Sequence, residues 1–206
     1  MKVLLINGSP DAKGCTATAL GIVAEELAMN GVDTEIVHVG NKDIRGCIGC
    51  CKCKSTGRCV FDKDMVNELA PKLEQADGLM VGSPVYFAGP NGSLTNLMDR
   101  LFFSTPFSKH MKAGAAVVSA RRAGTTAALD RLNKYFQLAE MPVVSSRYWN
   151  MVHGNTPEEV MQDEEGVQIM RVLGRNMAFL VRAIAAERER TGLPAAEEVT
   201  YTNFIR

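Results

Sequence analysis

The sequence predicts an α/β protein built on a doubly wound parallel sheet with helices on both faces. Short, continuous apolar runs alternate four times with segments whose apolar residues recur at helical spacing. Strands buried on both faces of a sheet read as such continuous runs. At 206 residues the chain is long enough for one sizeable core, so we expect a single domain, residues 1–206.

The first elements predict two strands joined by a helix. Residues 3–6 form an apolar run that ends in an Asn-Gly-Ser-Pro turn, which is typical of a buried parallel strand. Residues 16–30 carry apolar side chains at helical spacing, and Gly31 follows as a helix stop. Residues 34–39 predict the second strand, which leads into a cysteine-rich loop.

The same alternation continues to residue 145. The predicted helices span residues 64–75, 93–103 and 125–138, and the predicted strands span residues 78–82, 113–119 and 141–145. Helices between parallel strands make crossover connections. Five strands in a chain of this length favour the flavodoxin-like order of a doubly wound sheet.

A C-terminal helical extension, residues 150–206, follows the sheet. Thr156, Pro157 and Glu159 form a capping signal, and a long helical pattern covers residues 165–190. This helix is apolar on two flanks, which is more than one sheet face can bury. We expect either a subunit interface of a homodimer or homotetramer, or packing within the chain.

Charge and composition exclude several classes of partner. The chain has 23 basic and 23 acidic residues, so its charge predicts no nucleic-acid or membrane-surface partner. It has no apolar stretch long enough to span a membrane, and its start does not read as a signal peptide. We therefore expect a cytoplasmic protein, in which clustered cysteines more often bind metal or do redox chemistry than form disulfides.

Three loops lie at the ligand-binding end of the predicted sheet, because ligands of doubly wound sheets bind beyond the carboxyl ends of the strands. Residues 8–16 carry hydroxyls, two glycines and a lysine before a helix, and therefore predict a phosphate site or an ordinary turn. The loop is neither a Walker loop nor a dinucleotide fingerprint. Residues 83–93 are stiff and aromatic, and suit a flat ring or a core edge. In residues 119–126, Arg121 and Arg122 are candidates for binding a phosphate or a negatively charged ring edge, and the alternative is a solvated pair.

The cysteine loop offers four thiols at metal-binding spacing. Cys47, Cys50, Cys53 and Cys59 are spaced C-x2-C-x2-C-x5-C, with Cys51 as an extra thiol. Such a run fits a four-iron–four-sulfur cluster. Structural zinc, a redox pair of Cys50 and Cys53, and free thiols are the alternatives. The loop follows the second strand on the ligand side of the sheet, so an electron path to a nearby ligand is possible.

Together these motifs resemble the flavodoxin-like NAD(P)H-dependent FMN reductases, and within them the iron–sulfur flavoproteins. The resemblance rests on the Asn-Gly-Ser-Pro turn with Gly14 and Thr16, on Ser-Pro-Val-Tyr-Phe at residues 83–87, and on the four-cysteine pattern. It is strong over residues 1–150.

The resemblance implies non-covalently bound FMN and assigns its contacts. The phosphate would be held by Ser9, Lys13, Gly14, Cys15 and Thr16. The isoalloxazine ring would be lined by Pro84, Val85, Tyr86 and Phe87. Its pyrimidine edge would be closed by Ser119, Arg121 and Gly124. Cys15 stands where the family often has asparagine, so it is expected to contribute its backbone N–H.

The function implied is an FMN-dependent oxidoreductase. It would pass electrons from NAD(P)H or a reduced carrier to a flavin, quinone, metal-ion or protein acceptor, with a 4Fe-4S cluster as a possible intermediate. Arg121 or Arg122 would stabilise negative charge on the reduced ring. The alternatives are a non-enzymatic electron carrier in the role of a flavodoxin or ferredoxin, which the neutral charge disfavours, and a binding protein with a vestigial flavin site.

Overall fold

The computed structural model describes residues 1–205 and shows a central sheet with helices on both faces. The strands are β1 (Lys2–Asn7), β2 (Asp33–His38), β3 (Gly78–Tyr86), β4 (Gly89–Pro90), β5 (Ala113–Ala120) and β6 (Met151–His153). The helices are α1 (Cys15–Met29), α2 (Cys53–Thr56), α3 (Val66–Gln75), α4 (Gly92–Ser104), α5 (Thr125–Leu138), α6 (Pro157–Gln162) and α7 (Glu164–Thr191). The parallel strands run in the order β2-β1-β3-β5-β6, which confirms the flavodoxin-like prediction.

The sheet has six strands instead of the five predicted, because β3 continues into a hairpin. It runs to Tyr86, which pairs with Gly89 of the antiparallel strand β4. The two residues of the turn, Phe87 and Ala88, have φ values of 49° and 60°. Positive φ at both positions is the geometry of a type I′ hairpin turn, here without the usual Asn or Gly, so composition does not reveal it.

The last strand lies ten residues later than predicted. Within residues 141–145, Val143 makes only an isolated bridge to Gly114, whereas Met151–His153 pairs with the end of β5. Pro142 has no N–H to donate to a ladder, so this run makes two backbone hydrogen bonds with Gly114 of β5 and does not continue as a strand at this edge of the sheet. Length and apolar character alone therefore predict the strand in the wrong segment.

The two faces of the sheet carry separate cores. Leu4, Ile6 and Val81 contact α3, α4 and α5 on one face, whereas Val3 and Met80 contact α1 and α7 on the other. All five side chains are fully buried, and each contributes about 1.5–3 kcal/mol relative to exposure. This packing fixes the strand ends from which the site loops emerge.

The C-terminal extension begins with the predicted cap. The Thr156 hydroxyl accepts a hydrogen bond from the Glu159 N–H at 3.3 Å, and Pro157 occupies the first turn of α6. A second cap, Asp163, accepts from the Gly166 N–H at 2.9 Å and starts α7. The helix is therefore divided into a short and a long segment.

Most of the apolar surface of α7 packs within the chain. Val167, Met170, Leu173 and Met177 are buried with residues of α1. Phe179, on the second flank, is 68% exposed. The homodimer or homotetramer stays a prediction that now depends on that flank. Among residues 1–205, no helix is long and apolar enough to cross a membrane.

Candidate functional site

The three predicted ligand loops meet at one edge of the sheet. The Gly8 N–H donates to the Gly82 carbonyl at 2.8 Å, which ties the loop after β1 to β3. A Cβ on Gly124, whose φ is 93°, would lie 3.0 Å from the Ala88 Cα and 3.1 Å from Val85. Glycine therefore permits the loop after β5 to contact the β3–β4 hairpin.

The loop after β1 is folded by its own side chains. Asn7 accepts from the Ser9 N–H at 2.9 Å, and Asp11 accepts from the Lys13 N–H at 2.9 Å. Gly14 is the N-cap of α1; within residues 1–205 no side chain caps this terminus, and its first turn holds no acidic residue. The orphan N–H groups and the helix dipole make it suited to an anion such as a phosphate.

Two residues, one at the end of β2 and one just after it, support this loop from beside it. The carbonyl of Ser9 lies 2.7 Å from His38 Nε2 and, because a carbonyl only accepts, that ring nitrogen is the donor. No sequence pattern singles out His38, but parallel pairing sets it opposite Asn7. Gly40 lies so close that a Cβ there would be 2.1 Å from the Ser9 carbonyl oxygen.

Replacing Gly40 with alanine is expected to displace the loop and weaken FMN binding. The clash is with backbone atoms of Ser9 and Gly8, which cannot rotate away, so we expect a loss of about 1–3 kcal/mol in the free energy of unfolding. Gly21→Ala is the matched control, because a Cβ at Gly21 meets nothing within 4 Å. Urea unfolding and FMN fluorescence titration of both variants measure the effect; equal behaviour would contradict it.

Cys15, Thr16 and Ser119 hold α1 against the neighbouring strands. The Cys15 thiol donates to the Gly154 carbonyl at 3.5 Å, and burial raises its pKa together with the nearby charges of Glu159 and other acidic residues. The hydroxyls of Thr16 and Ser119, both buried, are 2.8 Å apart. These two side chains, assigned to opposite ends of the flavin, bond to each other. The backbone N–H groups near Thr16, rather than its hydroxyl, are therefore the donors available to a ligand at this loop.

The hairpin after β3 presents aromatic side chains. Pro84 and Val85 are half-buried, whereas Tyr86 is 48% exposed and Phe87 is fully exposed. The Ser83 hydroxyl accepts from the Asn91 N–H at 2.9 Å and stiffens the base of the hairpin. Two adjacent non-glycine residues at positive φ are typical of functional sites, where strain is retained for a ligand.

The remaining predicted contacts lie on the exposed rim of the same edge. Lys13 is exposed in the loop before α1, and Arg121 and Arg122 are exposed in the turn after β5. An uncapped helix terminus, exposed aromatics and two guanidinium groups at one edge fit the phosphate, ring and negative charge of FMN.

Five cysteines line a second site, which we call the cysteine cavity. Its volume is about 20 Å³, and it is lined by Cys47, Cys50, Cys51, Cys53, Cys59 and neighbours that include Phe61, Arg100 and Phe103. All five are free thiols. Burial raises the pKa of Cys53, and the surrounding thiols raise it further. Among residues 1–205, no three His, Cys, Asp or Glu side chains are placed to hold one metal ion.

Arg100 closes the cysteine cavity from α4. Only 1% exposed, it uses all five N–H donors. They reach Asp64 twice, the carbonyls of Arg45 and Phe61 at 3.2 and 3.0 Å, and the Cys59 sulfur at 3.3 Å. Burial alone lowers the pKa of Arg100, but its bonds with Asp64 and Cys59 outweigh burial and raise it. A buried cation therefore faces one of the predicted metal ligands.

The two sites lie along α4. The helix begins at Gly92, directly after the hairpin, whereas the cysteine loop contacts it at Arg100 and at Phe103, whose carbonyl accepts from the Cys53 thiol at 3.8 Å. At 1.5 Å per residue, Arg100 is about 12 Å along the helix from Gly92. The loop starts at the ligand edge, as expected, but its cysteines lie farther down the same face.

The fold has many solved neighbours. The structure of RosB with bound intermediate 8-demethyl-8-formylriboflavin-5′-phosphate superposes with a TM-score of 0.72 at 16% identity, covering 100% of this chain and 94% of that one. The apo form of an NADH:FMN oxidoreductase gives 0.64 at 20% identity, covering 93% and 94%. At this identity the likeness establishes the fold alone.

Sequence comparison is more specific. An iron–sulfur flavoprotein of Methanocaldococcus jannaschii is 33% identical over 195 residues, which are 89% of this chain and 99% of that protein. An Escherichia coli FMN reductase (NADPH) is 31% identical over 101 residues, which are 49% and 48% of the two chains. The model of the family described as NADPH-dependent FMN reductase matches residues 1–156. The chain therefore belongs to the NADPH-dependent FMN reductase family and is an NAD(P)H-dependent, FMN reductase-like oxidoreductase.

Proposed function

We propose that the protein takes electrons from NAD(P)H or a reduced carrier at an FMN site on the edge of the sheet, and passes them to a flavin, quinone or protein acceptor. The observation that carries this proposal is the N-terminus of α1, which no side chain within residues 1–205 caps and which the Thr16–Ser119 hydrogen bond ties to the end of β5. Bound FMN supplies a ring that accepts hydride and releases electrons. The chain orients the FMN and stabilises the negative charge on its reduced ring.

Each part of the chain has a distinct task at this site. The N–H groups of the first turn of α1 bind the phosphate and so fix the register of the cofactor. The hairpin aromatics Tyr86 and Phe87 cover the ring and exclude water from it. Arg121 and Arg122, exposed beside Gly124, stabilise negative charge at the pyrimidine edge.

We further propose that Cys47, Cys50, Cys53 and Cys59 bind a four-iron–four-sulfur cluster, which supplies a one-electron carrier. Three observations support this ligand set. All four thiols line the cysteine cavity, and thiolates are the ligands that iron–sulfur clusters require. Arg100 offers an N–H to one sulfur, and a guanidinium offsets thiolate charge. Curated relatives that match most of this chain are named iron–sulfur flavoproteins.

Anaerobic spectroscopy and turnover test the proposal. We expect a flavin spectrum with added absorbance from iron, and NAD(P)H oxidation that accelerates when free flavin or a quinone is added. Bound flavin without NAD(P)H oxidation would instead indicate the electron-carrier role.

Replacing both Arg121 and Arg122 with alanine is expected to weaken FMN binding or slow the reduction of FMN. Unchanged FMN affinity and an unchanged reduction rate would exclude the role of these two arginines. Protein that cannot be loaded with FMN would overturn the flavin site.

A further inference from the structure

The sheet has an open edge at β2, one of the two outer strands in the order β2-β1-β3-β5-β6. Asp33 and Val39 each donate an N–H to a carbonyl at either end of β1, both at 2.9 Å. Backbone groups alternate in direction along a strand, so the odd-numbered residues of β2 face β1 and the even-numbered residues face outward. The residues whose N–H and C=O groups point outward are therefore Thr34, Ile36 and His38.

The opposite edge, at β6, is closed by the chain itself. Gly154 donates its N–H to β5 at 3.2 Å, so the outward N–H groups of this edge belong to Met151 and His153. The first donates to the Trp149 carbonyl and the second to the Asp163 carboxylate, each at 2.8 Å. Within residues 1–205 no strand pairs with the outer side of β2, which has no proline or bulge to protect it. Such an edge is a template for another extended segment.

A β-forming segment follows α7. Residues 199–205 read Val-Thr-Tyr-Thr-Asn-Phe-Ile, and β-branched and aromatic residues of this kind favour strands. In the described part of the chain this segment pairs with no strand, and its large apolar side chains are between 66% and 95% exposed. These side chains are Val199, Tyr201, Phe204 and Ile205. Solvated tails are ordinarily poor in such residues, so the segment indicates a surface that it binds.

We propose that residues 199–205 of one copy of the chain pair with β2 of a second copy as an added strand, and that the second copy returns the same contact. Both the segment and the edge stay uncovered within one chain, and every copy carries both, so the exchange closes with two-fold symmetry. The lengths match, since β2 has six residues and the segment has seven.

The side chains of the two strands suit this pairing. Successive side chains of a strand point to opposite faces, so Tyr201 and Phe204 supply one large ring to each face. Ile36, 47% exposed on β2, offers an apolar neighbour. Main-chain hydrogen bonds then give the affinity, as in other cases of strand addition. The contact needs neither FMN nor a cluster, so its failure would leave the proposed function intact.

Hydrogen exchange in mixed copies of the FMN-loaded protein tests the contact. Chains that carry both Tyr201→Pro and Thr202→Pro are labelled with heavy nitrogen, combined at low concentration with unlabelled wild type, and concentrated together. Proline donates no N–H, and two adjacent prolines remove a ladder bond whichever way the segment faces. We expect the outward N–H groups of β2 in the labelled chains to exchange about tenfold more slowly with wild type than with the unlabelled double variant, because only wild-type tails cover them.

Two further variants locate the contact on the labelled chains. Ile36→Lys places a charge on the open edge and is expected to abolish the protection by wild type. Met161→Lys makes the same kind of change at a 51% exposed position on α6 and is expected to keep the protection. Loss of protection in both variants would overturn the proposal, as would equal exchange with either added chain. Protection of β2 in wild type that added wild type does not transfer would also overturn it, because the segment would then cover its own β2.

Discussion

Replacing Cys59 with serine is expected to abolish iron–sulfur loading while FMN binding stays at the wild-type level. After anaerobic reconstitution the wild type should hold about four iron and four sulfide ions per chain, and the variant close to none. A serine hydroxyl is a hard, protonated group and a poor substitute for a thiolate ligand of iron. Iron and sulfide analysis with the visible spectrum measures the loss.

Cys59 is the ligand that the fold positions most firmly. Asn67 brackets it, accepting from its N–H at 3.0 Å and donating to its carbonyl at 2.9 Å. Arg100 reaches its sulfur from the other side. The loss should therefore not be repaired by a shift of the loop, because residue 59 is held from both the backbone and the side chain.

Cys51→Ser is the matched control for this experiment. Cys51 lies in the same loop and lines the same cavity, but its φ is 53° and its thiol donates to the Gly49 carbonyl at 3.5 Å. We expect Cys51→Ser to keep its iron. Iron retained in Cys59→Ser, or iron lost from Cys51→Ser, would show that the ligand set is wrong. A reconstituted wild type without iron would leave free thiols as the better description.

The sheet was predictable because strands that are buried on both faces appear in the sequence as continuous apolar runs. The runs at residues 3–6 and 78–82 are apolar throughout, and the structure buries them completely. The hairpin at Phe87 and Ala88 was not predictable, because neither residue is a usual carrier of positive φ. The prediction of the last strand failed for a different reason. Met151–His153 is only three residues long, and its register with β5 decides that it pairs.

The site was predictable to the extent that topology places it. Strand ends bring the loops after β1, β3 and β5 together whatever their side chains do. Contacts across the chain were not predictable, because they depend on register and on helix orientation. His38 supports Ser9 from 29 residues away, and Arg100 reaches Cys59 from 41 residues away. The spacing of the thiols predicts which cysteines form the ligand set, but it does not predict where along α4 they lie.

Replacing Arg100 with methionine is expected to lower the free energy of unfolding by about 3–5 kcal/mol, a large part of the stability of a typical domain. Methionine fills similar space but donates no hydrogen bond. The carboxylate of Asp64, 9% exposed, then loses its partner, as do the carbonyls of Arg45 and Phe61. Urea unfolding of the protein before and after cluster loading measures the change.

Two further variants separate charge burial from packing. Arg45→Met removes an exposed guanidinium 4.2 Å from the Phe61 ring and should cost no more than about 1 kcal/mol. Arg100→Met combined with Asp64→Leu removes both charges and should regain much of the stability, because the cost lies in the unpaired carboxylate. A double variant as unstable as Arg100→Met alone would mean that Arg100 acts through packing.

The same substitution carries a redox consequence that a purely structural role would not produce. An N–H donated to a ligand sulfur stabilises the reduced, more negative cluster, so hydrogen bonds to sulfur help to set its potential. In cluster-loaded protein we expect Arg100→Met to lower the reduction potential, and Arg100→Lys to restore it in part, because an ammonium keeps the charge but not the five-donor geometry. A potentiometric titration that finds all three proteins alike would restrict Arg100 to holding the loop.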